Sequence, residues 1–180
     1  LVDLIVYGRR AGRHIAEYVK SASMPHAPKS ATDRASTRIS ELRERKGGEH
    51  LGPLYHEMQE VMMAKVGVYR EEGAMSEAVE EMKELRERVR HVAVQDQGAG
   101  FNSEVLSILE LENLIDLSLV TAASALNRTE SRGAHSRRDY PDRDDTQWLK
   151  HSLTSLDGTD VSIGYKPVDT SIWKPKPRTY

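Results

Sequence analysis

Cysteine is absent from the 180 residues. The chain therefore has no disulfide, thiolate zinc site, cysteine nucleophile or iron–sulfur thiolate of its own, and the lack points to a reducing compartment. No run approaches ~18 consecutive apolar residues, so no transmembrane helix is expected. A signal peptide is not expected either. Leu1–Tyr7 is apolar, but no basic region precedes it and Arg9 and Arg10 follow at once. Met does not open the chain, and an apolar periodicity is already running at Leu1 without a cap, so Leu1 reads as a cut inside a longer chain. An excess of one charge is missing too. Lys and Arg number 26 against 28 Asp and Glu, a net charge of -2, which gives no global basic field and no expected nucleic-acid partner. There is no G-x-x-x-x-G-K-[ST] and no G-x-G-x-x-G after a strand, hence no nucleotide cradle, and no G-x-S-x-G. His56-Glu57 opens like H-E-x-x-H, but Glu60 stands where the second histidine would be. His50 and His56 have no metal-ligand spacing, so no metal site is expected.

What is present is charged and helical in pattern. Hydrophobic residues make up 38% and charged residues 30%, a soluble balance in a length that suits one domain with appendages. Residues 2–20 read as a helix with Leu1, Leu4, Ile5, Ile15 and Val19 near one face. Gly8, Ala11 and Gly12 make a small-residue notch, read first as close packing. Residues 21–52 read as a linker with Pro25 and Pro28, then a short charged helix over 31–45 that Gly47-Gly48 ends.

Gly52-Pro53 opens the next helix with proline in its first turn. Its apolar face is Tyr55, Met58, Met62, Val66 and Tyr69, and Glu72-Gly73 is expected to be a turn. Ala78, Met82, Leu85, Val89 and Val92 alternate spacings of four and three, the seam of a helix packed along its neighbours. The remaining faces of that helix are charged and read as solvated. Glu84 and Arg88 form an i,i+4 pair worth ~0.2–0.5 kcal/mol. Gln97–Gly100 turns the chain. Asn102 or Ser103 then caps a helix to about Asn127, apolar on several sides and hence central. Residues 53–127 thus predict a three-helix antiparallel bundle.

Arg128–Asp145 holds five arginines and five acids, with Gly133 and Pro141. It is expected to be no core element but a functional or interface loop. Its interleaved signs favour internal ion pairing over phosphate or RNA binding. Nothing beside Asp144-Asp145 suggests the burial that would tune a general acid or base. Trp148–Leu156 and Thr159–Val168 flank Asp157-Gly158, a hairpin signal, and the tail Trp173–Tyr180 with two prolines is expected to be extended. On its residues alone, the chain is mainly α: a bundle, a polar loop and a small β-hairpin, with nothing intrinsic that makes an enzyme.

Three stretches carry a family resemblance: Leu1 to Gly12; Asn113 through Glu130-Ser-Arg-Gly-Ala-His135, Arg137, Tyr140-Pro141 and Arg143-Asp-Asp145 to Trp148–His151; and the ending Pro177–Tyr180. With Phe101-Asn102 and Val68–Arg70, they resemble the C-terminal part of the flavoprotein subunit of succinate dehydrogenase and fumarate reductase. The resemblance implies a fragment. Its FAD-binding domain, the inserted capping domain, the covalent-flavin histidine, the substrate-binding groups and the proton-donor arginine would all precede Leu1. Residues 1–20 would be the last helix of the FAD-binding domain, with its positive N-terminal end toward the flavin pyrimidine ring, where it would stabilise reduced flavin. Leu1 would touch FAD, and no catalytic residue would lie on this chain.

The resemblance further implies that the loop over 128–147, through Arg132, His135, Arg137, Asp139, Arg143 and Asp145, docks the helical domain onto the flavin domain, since bidentate Arg–carboxylate pairs suit such a seam. An internally paired surface loop is the simpler reading of the same residues. The implied reaction is hydride exchange between succinate or fumarate and FAD, with electrons passing to an iron–sulfur subunit. Membrane-anchor subunits would hold the complex indirectly at the cytoplasmic face. The equivalent domain of L-aspartate oxidase, and a stand-alone non-catalytic helical interaction module, are the alternatives. As an isolated fragment the chain is expected to be inactive, and the apolar face of residues 1–20 would invite self-association.

Overall fold

The computed structural model describes residues 2–98 and 100–176. Leu1 and Pro177–Tyr180 lie outside them, so the expected flavin contact of Leu1 and the end of the tail do too. The chain forms two compact units, 1–39 and 40–180. In the first, α1 (Val2–Tyr18) is amphipathic yet has no buried residue. Leu4, Ile5 and Ile15 are exposed. The Gly8/Gly12 notch is open, because an added Cβ at either would meet nothing within 4 Å. α2 (Lys29–Glu44) crosses the boundary and buries Leu42 near its end.

The second unit is built on α3 (Leu51–Val66), α4 (Glu72–Val89) and α5 (Ser103–Asn127), each packed on the other two. The α4 seam is buried as its spacing predicts, with Met75 extending it at one end and Val92 just beyond the helix. Leu54 and Met58 of α3 meet it from one side, Ile108, Leu111, Ile115 and Leu119 of α5 from the other. Small residues close the far end, where Ala78 faces Ala122 and Ala125. Asn102 caps α5, its side chain accepting from the Val105 N–H at 3.1 Å, which satisfies one of the donors a helix start leaves open. Gly48 sits at φ 96° with its backbone so near the His91 carbonyl that a Cβ would lie 2.0 Å from that oxygen; no other residue fits there.

Several expectations need correction. Tyr69 does not continue the α3 face. The helix ends at Val66, and Tyr69–Arg70 forms β1 with the tyrosine exposed. Glu72-Gly73 is no turn but the first turn of α4, whose acid suits the positive helix end. Arg88 turns away from Glu84 and reaches Glu49 and Glu57 at 2.7–2.8 Å. Lys65 bridges Glu77 and Glu81, and Arg86 meets Asp116. The charged faces of α4 therefore lace neighbouring segments together instead of only facing solvent. α5 is central along most of its length, but Leu106 and Leu117 on it are exposed.

β1 pairs in parallel with β2 (Ser136–Arg137), placing Tyr69 beside Ser136 and Arg70 beside Arg137. β3 (Lys150–Asp157) and β4 (Asp160–Pro167) form the antiparallel hairpin. Its two-residue loop is Gly158-Thr159, one position later than expected. Gly158 takes φ 58°, the left-handed geometry the first loop position of such a hairpin requires. Among the described residues, no helix is long and apolar enough to cross a membrane.

Candidate functional site

The residues that follow α5 are extended, and an extended chain places every second side chain on one side. Arg128, Glu130 and Arg132 therefore converge. Glu130 is fully buried, at 0% exposure. One of its oxygens accepts from Arg128 and from Arg132 Nε, the other from Arg132 and from the Asp144 N–H at 2.9 Å. Burial alone would raise its pKa, but the Arg132, Asp144 and Arg128 hydrogen bonds outweigh it and hold the carboxyl below the usual range. Arg132 also reaches Asp145 at 2.7 Å, and Asp145 receives Arg143 at 2.7 Å. Arg128 continues to the carbonyls of Trp148 and Lys150, tying the hairpin base to the end of α5. Its guanidinium lies 5.0 Å from the Trp148 ring centre, and the Trp148 N–H donates to Thr129.

Arg137 is the second buried ion, at 2% exposure. It makes a fork with Asp139, at 2.6 and 2.7 Å, and donates to the carbonyls of Ala125, Leu126 and Arg128. These are orphan acceptors at the negative end of α5, and a cation there is favoured. The Arg137 bond pulls Asp139 down to about 2, and Asp139 also accepts from the Glu72 N–H at the start of α4. The loop adds no residue to the apolar core clusters, as expected, but it buries two side chains of its own. Its two most buried side chains are charged, which is tolerated because each finds full-strength partners.

His135 stands between two elements. Its Nδ1 is 2.8 Å from Arg70 and its Nε2 3.1 Å from the Arg128 carbonyl. Because a guanidinium only donates, Nδ1 accepts and Nε2 carries the hydrogen. Burial, then the charges of Arg70, Arg137 and Arg128, push His135 below its ordinary value against the pull of that carbonyl. The ring is neutral, with both nitrogens engaged. Arg70 also donates to the carbonyls of Val66 and Gly67.

The structure therefore brings Arg132, His135, Arg137, Asp139, Arg143 and Asp145 into one network, as their shared segment implies, and pairs each of them within the chain. Sequence reasoning missed Glu130, on which the network converges, and Arg70. The alternation Arg128, Glu130, Arg132 was a usable signal for the first. The second comes from 58–67 residues away; its segment, Val68–Arg70, shared in the family resemblance, but nothing there tied it to this loop. Among the described residues, no group of His, Asp and Glu could hold a metal ion.

A family model described as the fumarate reductase flavoprotein C-terminal domain matches residues 55–180. A succinate dehydrogenase flavoprotein subunit of Rickettsia bellii is 40% identical over 93% of the chain, which covers 28% of that relative. A fumarate reductase flavoprotein subunit of Mycobacterium tuberculosis is 38% identical over the whole chain, covering 32% of it. A solved E. coli quinol fumarate reductase chain superposes with a TM-score of 0.90 at 30% identity, over 98% of this chain and 31% of the other. The chain spans under a third of these proteins.

Proposed function

The chain belongs to the fumarate reductase flavoprotein C-terminal family, and from that membership we propose that it serves as the C-terminal helical domain of an FAD-containing succinate or fumarate oxidoreductase subunit. The observation that carries the reading is the agreement along nearly the whole chain with flavoprotein subunits of both kinds. FAD supplies hydride exchange with succinate or fumarate in the full-length subunit. This chain contains no glycine-rich dinucleotide cradle, so it supports the cofactor instead of holding it. α1 belongs with the flavin domain, which explains an amphipathic helix that buries nothing of itself. The partners are the upstream FAD-binding and capping domains, an iron–sulfur subunit and, through it, membrane-anchor subunits.

The loop over 128–147 is the dock. Glu130, Arg137 and His135 hold its backbone from behind, so that its outer edge is preformed. Arg132, Asp139, Arg143 and Asp145, each with about 30% of its side chain accessible, lie toward that edge. A preformed polar edge loses little entropy on docking.

The test is to recover, from the native source and with an antibody to this chain, the polypeptide that carries it. The expected result is a polypeptide about three times as long, containing FAD and oxidising succinate or reducing fumarate. A flavin-free polypeptide of the chain's own size would overturn the reading. A flavoprotein that oxidises L-aspartate instead would move it to the other enzyme.

A further inference from the structure

Beneath the hairpin base lies a groove of about 710 Å3. Side chains on one face of β3 alternate with those on the other, so Lys150, Ser152, Thr154 and Leu156 share a face. At the tip, Leu156 and its partner Val161 pack on the apolar core. At the base, Lys150, Ser152 and Thr154 line the groove instead, opposite Thr121 and Ser124 of α5. The hairpin is thus shut at its apolar tip and open at its base, where Arg70, Arg128, Arg132 and His135 also line the groove, together with His151 and apolar residues such as Val120 and Leu149.

The charges of this groove do not balance. Among the described residues no carboxylate lines it. Arg128 and Arg132 share Glu130 behind the wall, and Arg132 shares Asp145 with Arg143. Arg70 donates only to neutral acceptors, two carbonyls and the His135 ring. Burial without an opposing charge lowers its pKa. Lys150 has no carboxylate partner among the described residues. Its ammonium lies 4.7 Å from the Trp148 ring centre and 3.9 Å from that of Tyr165, aromatic faces that hold a cation without neutralising it. Arg70 and Lys150 therefore stand as two uncompensated cations beside a concave, partly dry wall, where an anion is attracted more strongly than at an open surface. The groove lies within the ~300–1,000 Å3 range of small-molecule sites.

We infer that this groove binds a small molecule carrying two or more oxyanion groups, phosphoryl or carboxylate, between Lys150 on the hairpin and Arg70 on β1. Arg128 supplies further positive field, and the hydroxyl of Thr154 a hydrogen-bond donor. Lys150, Arg70 and Thr154, which would contact the ligand, lie outside the proposed dock over 128–147, and the inference rests on that dock leaving the groove open, since Arg128, Arg132 and His135 belong to both.

The test is calorimetric titration of the chain with inorganic pyrophosphate and, separately, with citrate, each against sodium chloride of matched ionic strength. The expected result is saturable binding with one site, and the tighter of the two probes tells phosphoryl from carboxylate preference. Lys150→Ala should weaken binding about tenfold, the worth of one charge-assisted contact. Lys83→Ala, paired with Glu80 on α4 and outside the lining, should leave it unchanged. Should Lys150→Ala disturb the far-UV spectrum, Ser152→Asp replaces it, since an acid set into the groove should abolish binding. Absence of saturable heat overturns the proposal, and so does equal loss in Lys150→Ala and Lys83→Ala, or binding that follows ionic strength alone.

Discussion

Around Leu111 the bundle buries aliphatic side chains that need nothing from their neighbours except contact. Around Glu130, a few residues past the end of the same helix, the loop buries a carboxylate that needs four hydrogen bonds to be there at all. Both positions are 0% exposed. They differ in what a deletion leaves behind: a cavity in the first case, stranded cations in the second. An apolar core is graded, whereas an ionic one fails as a unit. The loop can accordingly be rigid without a hydrophobic centre, but only while its partners stay complete.

The sharpest way to break this comparison is Glu130→Ala. It leaves Arg128 without a counter-charge and Arg132 with Asp145 alone, and should cost about 3–5 kcal/mol, the usual penalty for removing one partner of a buried pair. Urea unfolding followed both by far-UV circular dichroism and by Trp148 fluorescence, in a Trp173→Phe background, would check it. Coincident transitions mean that loop and bundle unfold together; an earlier fluorescence transition means that the loop melts alone.

Leu111→Ala should cost about 2–5 kcal/mol through lost contact and cavity, and both probes should shift together because the helix supports the loop. Asn102→Ala should cost only about 1 kcal/mol, the value of one helix cap, and should be invisible to Trp148 except through global stability. A result above that of Leu111→Ala would mean that the segment before α5 is held by more than the cap.

The smallest and most discriminating effect is the dependence on pH. Glu130 and Asp139 are held low in the folded protein, so the stability they lend is present above the ordinary carboxylate range and is lost as pH falls from about 4.5 toward 2. His135 is also held low, and a histidine kept neutral on folding lends stability that is lost as pH falls below its unfolded value near 6.5. Protonation would set its Nδ1 against Arg70, a donor that could no longer be accepted. Equilibrium unfolding between pH 7 and 5 should show a decline that His135→Gln flattens, whereas Leu111→Ala should keep the same slope.

How much of this could be read beforehand follows from the same contrast. The α4 seam, a cap at Asn102 or Ser103 and the hairpin were legible because each is a local pattern of three to eight residues. Tyr69 was misread because its spacing continues the α3 period, while the chain leaves the helix at Gly67 to pair with Ser136. Arg88 was misassigned because i,i+4 proximity was available locally, but two carboxylates from another segment offered a better site. The six residues singled out in the loop do share one hydrogen-bonded network. The order of importance within it was not legible, since exposed and buried ions have the same composition.

By itself the sequence determined the mainly α character, the periodic apolar faces and the absence of cysteine chemistry on this chain. Each of these depends on residue type and near spacing alone, whereas the kinship with a flavoprotein C-terminal domain rests on resemblance to known members of that family. Tertiary structure decided that Glu130 and Arg137 are buried, that Arg70 meets His135, and that Lys150 overlooks a cationic groove. The physical reason is that the energy of an ion depends on what surrounds it. An apolar side chain is favoured in any dry place, but a charge is favoured only beside particular partners, and those partners come from distant parts of the chain.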